Sequence, residues 1–400
     1  MSDYAQEVID PGDRLSRFGK KVCFRSHGNN PAITVIPRQP GNFRGAVDWR
    51  WKPHVLQAML NEEMAEAVEN DGAGGKPQFF TLLSSIQAFR RLGWEVVTMT
   101  ADDLARSGRF PAIMLNQMDI KYVNDKNYPL AAGCLAGYGT ALRASGLVNL
   151  TGETAIMKNS ITAFCDNNSD EQLILTWSGA CIGLSHQQKS LDGFDIRPGN
   201  PIVGFWESGY RCNGGGFFTK VIQAKYGKRV DIMSDPEAVK LVKALTVPSM
   251  SYASLICELL GWELDGRVGA TKIIINGIAH ITGGGVWKKF GDLLPEGIGA
   301  ELYDMPKPAE VLLRGQELSR GTPHQMSDWE AYSTFHGGCG MLLVCGNEMS
   351  ARRVIREAKR FGVKAYRVGN TVESSKNIIR IISRFADGSR VLASDQPPEK

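Results

Sequence analysis

A glycine-rich stretch, residues 278–287, constrains the fold of this 400-residue chain more than any other segment. The apolar run at residues 272–275 precedes it and predicts a buried strand. Three consecutive glycines, 283–285, then leave the backbone bare, and Trp287 begins a segment that predicts a helix. The N–H groups of such a strand–turn–helix unit can bind phosphate oxygens. The stretch is therefore either a phosphate site or a tight turn, since glycines alone do not separate the two.

Composition and charge narrow the class of protein. The hydrophobic content of 43% and the charged content of 22% are typical of a globular protein. A chain of 400 residues is long for a single core, so we predict two domains, residues 1–190 and 191–400, with the boundary at the turn-rich segment 191–201. The net charge of +4 is small and dispersed, which argues against nucleic-acid binding.

The N-terminus and the apolar runs bear on location. The first ten residues are polar and acidic, unlike a signal peptide, and no apolar run approaches the length that spans a bilayer. Eight scattered cysteines without a CxxC pair indicate reduced thiols and no zinc site. We therefore predict a cytoplasmic protein that does not contact a membrane.

Alternating helix and strand patterns predict an α/β layer fold. In the first half, the predicted helices are 55–68, 79–91 and 129–144, and the predicted strands are 94–99, 147–150 and 173–184. Residues 110–118 form a further apolar run. In the second half, the predicted strands are 202–206, 340–345 and 378–384, and the predicted helices are 217–226, 236–245, 249–261, 307–320 and 348–360.

Two acidic segments could hold a cation. Residues 70–76 combine Asp71 with glycines and Lys76, a pattern typical of a metal or phosphate loop and equally of a flexible turn. Asp102 and Asp103 follow the predicted strand 94–99, where they could cap a helix or bind Mg²⁺. These residues do not by themselves decide between the alternatives.

Taken in order, the motifs resemble those of the phosphoribosylformylglycinamidine cyclo-ligase (aminoimidazole ribonucleotide synthetase) family. The family motifs D-G-V-G-T-K, V-N-D-L, G-G-E-T-A-E-M, S-S-G-P-H-S-N-G, A-P-T-R-I-Y, A-H-L/I-T-G-G-G and T-F-N-C-G-V-G-M resemble residues 71–76, 100–104, 151–157, 207–215, 247–252, 279–285 and 334–341. Each match is modest, but all keep the family order and roughly the family spacing.

The resemblance implies a fold and a reaction. It implies two α/β domains and a homodimer, with the N-terminal sheets forming a barrel-like interface. It also implies that ATP phosphorylates the amide oxygen of formylglycinamidine ribonucleotide, after which a substrate nitrogen closes the imidazole ring and expels phosphate. Such phosphoryl transfer depends mainly on positioning and charge neutralisation.

The resemblance also implies residue roles. Asp71, Asp103 and Glu153 would hold Mg²⁺ and orient ATP, and Lys76 would pair with phosphate. The candidate catalytic residues are Lys20, Lys21, Arg211 and His280, and a structural role for His280, as a hydrogen-bond partner of the glycine turn, stays open. The other positions implied to bind ATP or substrate are Gly41, Phe43, Gly45, Gly72, Gly74, Asp102, Gly152, Thr154, Asn213, Thr282, Gly283, Gly284 and Gly285.

Several positions depart from the family pattern. Gly75 replaces the threonine of D-G-V-G-T-K, Asp102 replaces an asparagine, and Arg211 and His336 replace a histidine and an asparagine. The glycine-rich N-terminal loop of the family is reduced at residues 40–47. Three alternatives therefore stay open: a divergent cyclo-ligase, a relative that acts on another substrate such as thiamine monophosphate or selenide, and a non-catalytic nucleotide-binding subunit.

Overall fold

The computed structural model describes residues 10–36, 47–227, 230–270, 273–385 and 390–398. The described strands are β1 (Ile33–Val35), β2 (Trp49–Trp51), β3 (Met64–Gly72), β4 (Phe110–Ile120), β5 (Val148–Ile156), β6 (Leu175–His186), β7 (Pro201–Trp206), β8 (Ile275–His280), β9 (Ile298–Leu302), β10 (Cys339–Cys345), β11 (Ala365–Glu373), β12 (Ile379–Ile382) and β13 (Val391–Ala393). The described α-helices are α1 (Pro11–Ser26), α2 (Pro53–Leu60), α3 (Pro77–Leu83), α4 (Ile86–Ala105), α5 (Tyr128–Ala144), α6 (Gly215–Tyr226), α7 (Pro236–Leu245), α8 (Ala253–Leu260), α9 (Gly285–Gly291), α10 (Glu310–Ser319), α11 (Asp328–Thr334) and α12 (Glu348–Arg360).

The first half of the chain builds a four-stranded sheet in the order β3-β6-β4-β5. Its pairs are antiparallel except for the parallel pair of β4 and β5. Helices α1 and α4 contact the strands, and α5 packs against both helices. In β6, Trp177 is buried while Thr176 and Ser178 on the other face are exposed. The sheet therefore has one face covered by helices and one face that is largely open.

The second half builds a seven-stranded sheet in the order β13-β12-β9-β11-β7-β10-β8. Every residue of β10 is buried. Met341 and Leu343 pack in the cluster that includes α8 and α12, whereas Leu342 and Val344 pack in a second cluster with α9 to α11. Burial on both faces explains why this strand is continuously apolar in sequence. The mixed α/β fold class predicted from the sequence is confirmed.

The carboxyl ends of β7 and β8 lie at the same end of the strands of this sheet. Both strands pair antiparallel to β10, so they run in the same direction. Met341 lies opposite His280 of β8 and Phe205 of β7. His280, the last residue of β8, and Glu207, the residue that follows β7, therefore lie at the same end of the sheet.

The prediction of a strand at residues 94–99 is wrong. These residues lie within α4, and Asp102 and Asp103 occupy the last turns of that helix. Helix α4 contacts the four-stranded sheet, α5 and α8, and most of its residues are buried. A helix buried on nearly all sides has a continuous apolar run that periodicity does not distinguish from a strand.

Other elements also differ from the predictions. The predicted helix 79–91 is divided between α3 and α4, which are separated at Ser84, a residue with a φ of +44°. The predicted helix 55–68 ends at Leu60, and β3 begins at Met64 after a turn in which Glu62 has a φ of +60°. Strand β8 covers residues 275–280, so part of the glycine-rich stretch is strand; residues 271–272 lie outside the described residues. No helix within the described ranges is long and apolar enough to cross a membrane.

Candidate active site

Two carboxylates from separate elements lie side by side. Asp71 is the penultimate residue of β3, and Asp103 lies in the last turn of α4. Burial is the main cause that raises the pKa of Asp71 to about 6, and the charge of Asp103 and a hydrogen bond with its side chain raise it further. Two close carboxylates in a partly buried position repel each other, so a cation between them would stabilise both.

His280 fixes the second of these carboxylates. Its Nδ1 lies 2.7 Å from Oδ1 of Asp103, and Nε of Arg106 donates to the same oxygen at 3.1 Å. Although burial alone would raise the pKa of Asp103, the hydrogen bond and charge of His280, together with Arg106, lower it to about 2. Asp103 is therefore ionised at neutral pH, as a metal ligand must be.

Arg211 lies at the centre of a buried polar network. Its Nη1 donates to Glu207 Oε2 at 2.6 Å and to the carbonyl of Met250 at 3.0 Å. Its Nη2 donates to Asp102 Oδ2 at 2.9 Å and lies 2.7 Å from Nε2 of His280. Only 1% of the side chain is exposed. The prediction that Arg211 belongs to the site is supported by its contact with His280, but its burial prevents direct contact with substrate.

Asp102 caps a helix. Its Oδ1 accepts hydrogen bonds from the backbone N–H groups of Tyr252 and Ala253, both at 2.8 Å, at the start of α8. Its side chain is fully buried, and burial raises its pKa to about 6 although Arg211 and the two N–H groups act in the opposite direction. The resemblance implied that Asp102 contacts the nucleotide. The structure instead places Asp102 in the protein interior.

Lys76 also differs from the prediction. Its Nζ donates to Glu95 Oε1 and to the carbonyl of Val247, both at 2.7 Å, and its side chain is fully buried. The ammonium lies 5.1 Å from the centre of the Tyr210 ring. Because its charge is compensated inside the protein, Lys76 is not positioned to bind a phosphate group.

These buried charges form one region, which we call the charged seam: Lys76, Glu95, Asp102, Glu207 and Arg211. Glu95 and Asp102 are seven residues apart on α4, so they lie on one face of that helix. Glu95 also accepts hydrogen bonds from the backbone and hydroxyl of Ser249 at 3.0 and 2.6 Å. The charged seam therefore joins α4 to the segment that leads into α8.

The sequence analysis missed Glu95 and Glu207. Glu95 stands in the apolar run that was taken for a strand, and Glu207 follows directly after buried β7. A carboxylate inside or at the end of a buried apolar run needs a buried partner, and this requirement is the sequence signal that could have identified both residues.

The glycine-rich turns of three motifs pack together. A side chain at Gly74, which has a φ of +51°, would lie 2.6 Å from the carbonyl of Cys212. Gly75 approaches Gly215, the first residue of α6. The Cβ of a residue at position 283 would lie 3.1 Å from Oδ1 of Asn213. The turns that contain Gly72, Asn213 and Thr282 are thus brought into one neighbourhood.

The glycine turn after β8 has a structural reason for its composition. Gly284 and Gly285 have φ values of +91° and +59°, in the region that favours glycine. A Cβ at position 285 would lie 2.2 Å from the carbonyl of Tyr332. Packing against α11 therefore requires glycine here, whether or not a phosphate binds nearby.

Glu153 does not join Asp71 and Asp103. The register across the four-stranded sheet aligns Asp71 with Gly179, Asn116 and Gly152, whereas Glu153 lies in the next row. Residues in adjacent rows point to opposite faces, and the three strand spacings between β3 and β5 amount to about 14 Å. Within the described part of the chain, no group of three acidic, histidine or cysteine residues is arranged to hold a metal ion. The three carboxylates predicted to hold Mg²⁺ therefore do not meet within the described part of one chain.

Glu153 instead lines a cavity of about 340 Å³ at the edge of the sheet, which we call the β5 cavity. Lys20 from α1 lines the same cavity, whereas the neighbouring Lys21 is exposed and does not. The other lining residues that the sequence analysis named are Gly152 and Thr154. Gly41, Phe43 and Gly45 lie outside the described residues.

The donor set of the acid pair fits Mg²⁺, which prefers one or two carboxylates together with water and substrate phosphates. Asp71 and Asp103 supply two carboxylates, and a cation between them would offset the burial and the charge of Asp103 that raise the pKa of Asp71. Glu153 is not part of this set within the chain.

Comparison with known proteins gives the family. Residues 53–184 match the N-terminal domain of AIR synthase related proteins, and residues 197–382 match their C-terminal domain. The chain is 29% identical over 279 residues to a phosphoribosylformylglycinamidine cyclo-ligase of Synechococcus sp. (strain CC9902), covering 70% of this chain and 72% of that protein. It is 26% identical to the cyclo-ligase of Thermococcus kodakarensis, covering 78% and 85% of the two chains.

Solved structures support the same fold. The hydrogenase maturation protein HypE in complex with ATP superposes with a TM-score of 0.55 at 13% identity, covering 99% of this chain and 97% of HypE. Thiamine-monophosphate kinase from Stenotrophomonas maltophilia gives a TM-score of 0.54 at 12% identity, covering 90% and 93%. The chain therefore belongs to the AIR synthase related family, and the resemblance to phosphoribosylformylglycinamidine cyclo-ligases that its motifs predicted is confirmed.

Proposed function

We propose that this protein is an enzyme that uses ATP and Mg²⁺ to cyclise formylglycinamidine ribonucleotide to aminoimidazole ribonucleotide. The observation that carries the proposal is the contact among Asp71, Asp103 and His280, which come from three separate family motifs. The relatives that match most of the chain are cyclo-ligases, which gives the substrate class. This reaction is a step of purine biosynthesis.

The acid pair would act on the phosphoryl group. Asp71 and Asp103 would hold Mg²⁺, which neutralises the negative charge of the transferred phosphate when it is bound. Asp103 is already ionised and fixed by His280 and Arg106, so it is prepared for a cation. Burial and the neighbouring carboxylate raise the pKa of Asp71 to about 6, so Asp71 is mostly ionised at neutral pH, and a bound cation would lower this pKa again.

The glycine turns would admit the phosphate groups. The turn at Gly74, the turn before α6 and the turn after β8 lie against one another. Helix α6 begins after Gly214 without a side-chain cap, so its first N–H groups are not bound by a capping side chain. Backbone N–H groups in such turns bind phosphate oxygens. We propose that Asn213 and Thr282 border this phosphate region.

The chemistry then needs little acid–base assistance. Transfer of phosphate to the amide oxygen turns that oxygen into a leaving group, and the substrate nitrogen attacks the activated carbon. Ring closure expels phosphate, so the products are aminoimidazole ribonucleotide, ADP and inorganic phosphate. The protein's role in this scheme is to position the reactants and stabilise charge, which suits a site made of carboxylates and backbone donors.

We propose that the protein is a homodimer in which the open face of the four-stranded sheet is covered. Val68 on edge strand β3 is 68% exposed, and the exposed Thr176 and Ser178 lie on β6 beside it. An unpaired edge strand with an exposed apolar residue tends to find a partner. In a dimer, the β5 cavity with Lys20 and Glu153 could then complete the site from the partner chain.

Light scattering should give twice the 43.8 kDa chain mass, and Val68→Glu should shift the protein towards monomer; a wild-type monomer would contradict this proposal.

An ADP-release assay tests the proposed function. ADP should form with formylglycinamidine ribonucleotide and not with thiamine monophosphate or without substrate. ADP with thiamine monophosphate would indicate a different phosphoryl acceptor, and no ADP under any condition would indicate a non-catalytic protein.

Asp71→Asn should lower the affinity for MgATP without unfolding the protein, and an unchanged affinity would remove Asp71 from the site.

A further inference from the structure

Arg211 and His280 form a contact that follows from donor and acceptor chemistry alone. The guanidinium can only donate hydrogen bonds, so Nε2 of His280, at 2.7 Å from it, must accept. An ionised carboxylate can only accept, so Nδ1 of His280, at 2.7 Å from Asp103, must donate. Both contacts require the same ring form: neutral, with its proton on Nδ1.

The guanidinium is itself held in place from several sides. The four N–H bonds of its terminal nitrogens face Glu207, Met250, Asp102 and His280. Its Nε is buried without a hydrogen-bond partner. These four contacts fix the orientation of the guanidinium within this network. Its Nη2 therefore presents an N–H to Nε2 of His280, and this ring nitrogen has to accept.

The other side of the ring is equally defined. His280 and Arg106 both bind Oδ1 of Asp103, which fixes the rotation of that carboxylate. The ring is fully buried, and both of its nitrogens face protein groups. No ring nitrogen is therefore left to exchange a proton with a substrate.

We infer that Arg211 locks His280 in the Nδ1–H form, and that His280 is a positioning residue that aims Asp103 and not a proton-transfer group. This differs from the sequence-based assignment of both residues as catalytic. It rests on the proposed function only for the identity of the ligand that Asp103 holds. The histidine that the resembling motif has at position 211 presents two ring nitrogens and cannot make the four contacts of Arg211.

The ring form is measured directly by nuclear magnetic resonance. Protein labelled with ¹⁵N-histidine contains six histidines, and the signals missing from His280→Asn assign residue 280. We expect the Nδ1–H form at pH 7 in the wild type. An Nε2–H or doubly protonated ring would overturn the inference, and this result does not depend on whether the protein turns over any substrate.

A second arm assigns the lock to Arg211. In Arg211→Gln the guanidinium that donates to Nε2 of His280 is lost, so we expect the ¹⁵N signal of this ring nitrogen to move away from its wild-type position. An unchanged spectrum would contradict the role of Arg211. If this variant does not fold, the wild-type spectrum still decides the ring form.

A matched pair of variants tests the positioning role. The amide nitrogen of asparagine can occupy the place of Nδ1, whereas that of glutamine occupies the place of Nε2. His280→Asn can therefore still donate to Asp103 and His280→Gln cannot. Loss of a partner behind a metal ligand typically costs 10–100-fold in metal affinity, so we expect His280→Gln to bind Mn²⁺ roughly 10–100-fold more weakly than His280→Asn.

The two variants also separate positioning from proton transfer. Equal losses of Mn²⁺ affinity in both would overturn the positioning role, since neither amide can replace a titrating ring. Melting temperatures of the two variants show whether a difference in affinity comes from the contact or from unfolding. Absence of ADP release by the wild type would defeat the proposed function and leave the ring form and the Mn²⁺ comparison as they stand.

Discussion

The charged seam and the β5 cavity both contain motif residues of opposite charge, but they differ in how those charges are compensated. In the charged seam, Lys76 and Glu95 are 2.7 Å apart with both side chains fully buried. In the β5 cavity, Glu153 is exposed and Lys20 is half-buried beside open space. The charges of the seam are compensated inside the protein, whereas the exposed Glu153 carboxylate of the cavity lies where a ligand or a partner chain can reach it.

This difference separates stability from binding. Removing one member of a buried ion pair leaves an uncompensated charge and costs several kcal/mol, whereas a surface charge contributes little to stability. Variants in the charged seam should therefore change the free energy of unfolding, and variants in the β5 cavity should change activity.

The largest expected effect is that of Glu95→Ala. It leaves the Lys76 ammonium buried without its carboxylate and removes the acceptor of Ser249. We expect the free energy of unfolding, measured with urea, to fall by about 3–5 kcal/mol. Asp292→Ala breaks the exposed pair with Lys288 and should cause no comparable loss. Similar effects of the two variants would contradict the distinction between buried and exposed charges.

A smaller effect is expected from His336, which lies next to the seam. Its Nε2 donates to the carbonyl of Gly209 and its Nδ1 accepts from the N–H of Gly338. Burial is the main cause that lowers its pKa from the ordinary 6.5 to about 4. The unfolded chain therefore takes up the proton first as the pH falls.

The stability that neutral His336 contributes is complete above pH 6.5 and is lost as the pH falls towards 4. The shift corresponds to about 3 kcal/mol at most. His336→Asn, which cannot titrate, should lack this loss when its unfolding free energy is compared with that of the wild type from pH 7 to pH 4. Parallel pH profiles of the two proteins would show that residue 336 does not cause the dependence.

The smallest effect on stability is expected in the β5 cavity. Glu153→Gln removes an exposed negative charge, so the unfolding free energy should change by less than about 0.5 kcal/mol. If the cavity completes the site in a dimer, turnover should still fall, by about tenfold. Lys21→Met, on the exposed neighbour outside the cavity, serves as the control. Loss of stability without loss of turnover would reverse the comparison.

The sequence predicted the family and the fold class, because short motifs keep their order and their local turns. It could not show that Lys76 points inward, because the ion pair with Glu95 depends on the packing of α4. Part of this helix was predicted to be a strand. It also could not show that Glu153 and Asp71 leave opposite faces of the sheet, because that depends on the register of four strands. Local sequence patterns were sufficient to predict turns, whereas tertiary packing determines which charged side chains are buried and which are exposed.

The central claim is that the enzyme phosphorylates an amide oxygen and then closes the ring. Formylglycinamidine ribonucleotide that carries ¹⁸O in the amide group tests it directly. We expect the label to appear in inorganic phosphate, one atom for each aminoimidazole ribonucleotide formed. Release of ADP with unlabelled phosphate, or formation of the product without transfer of the label, would contradict it.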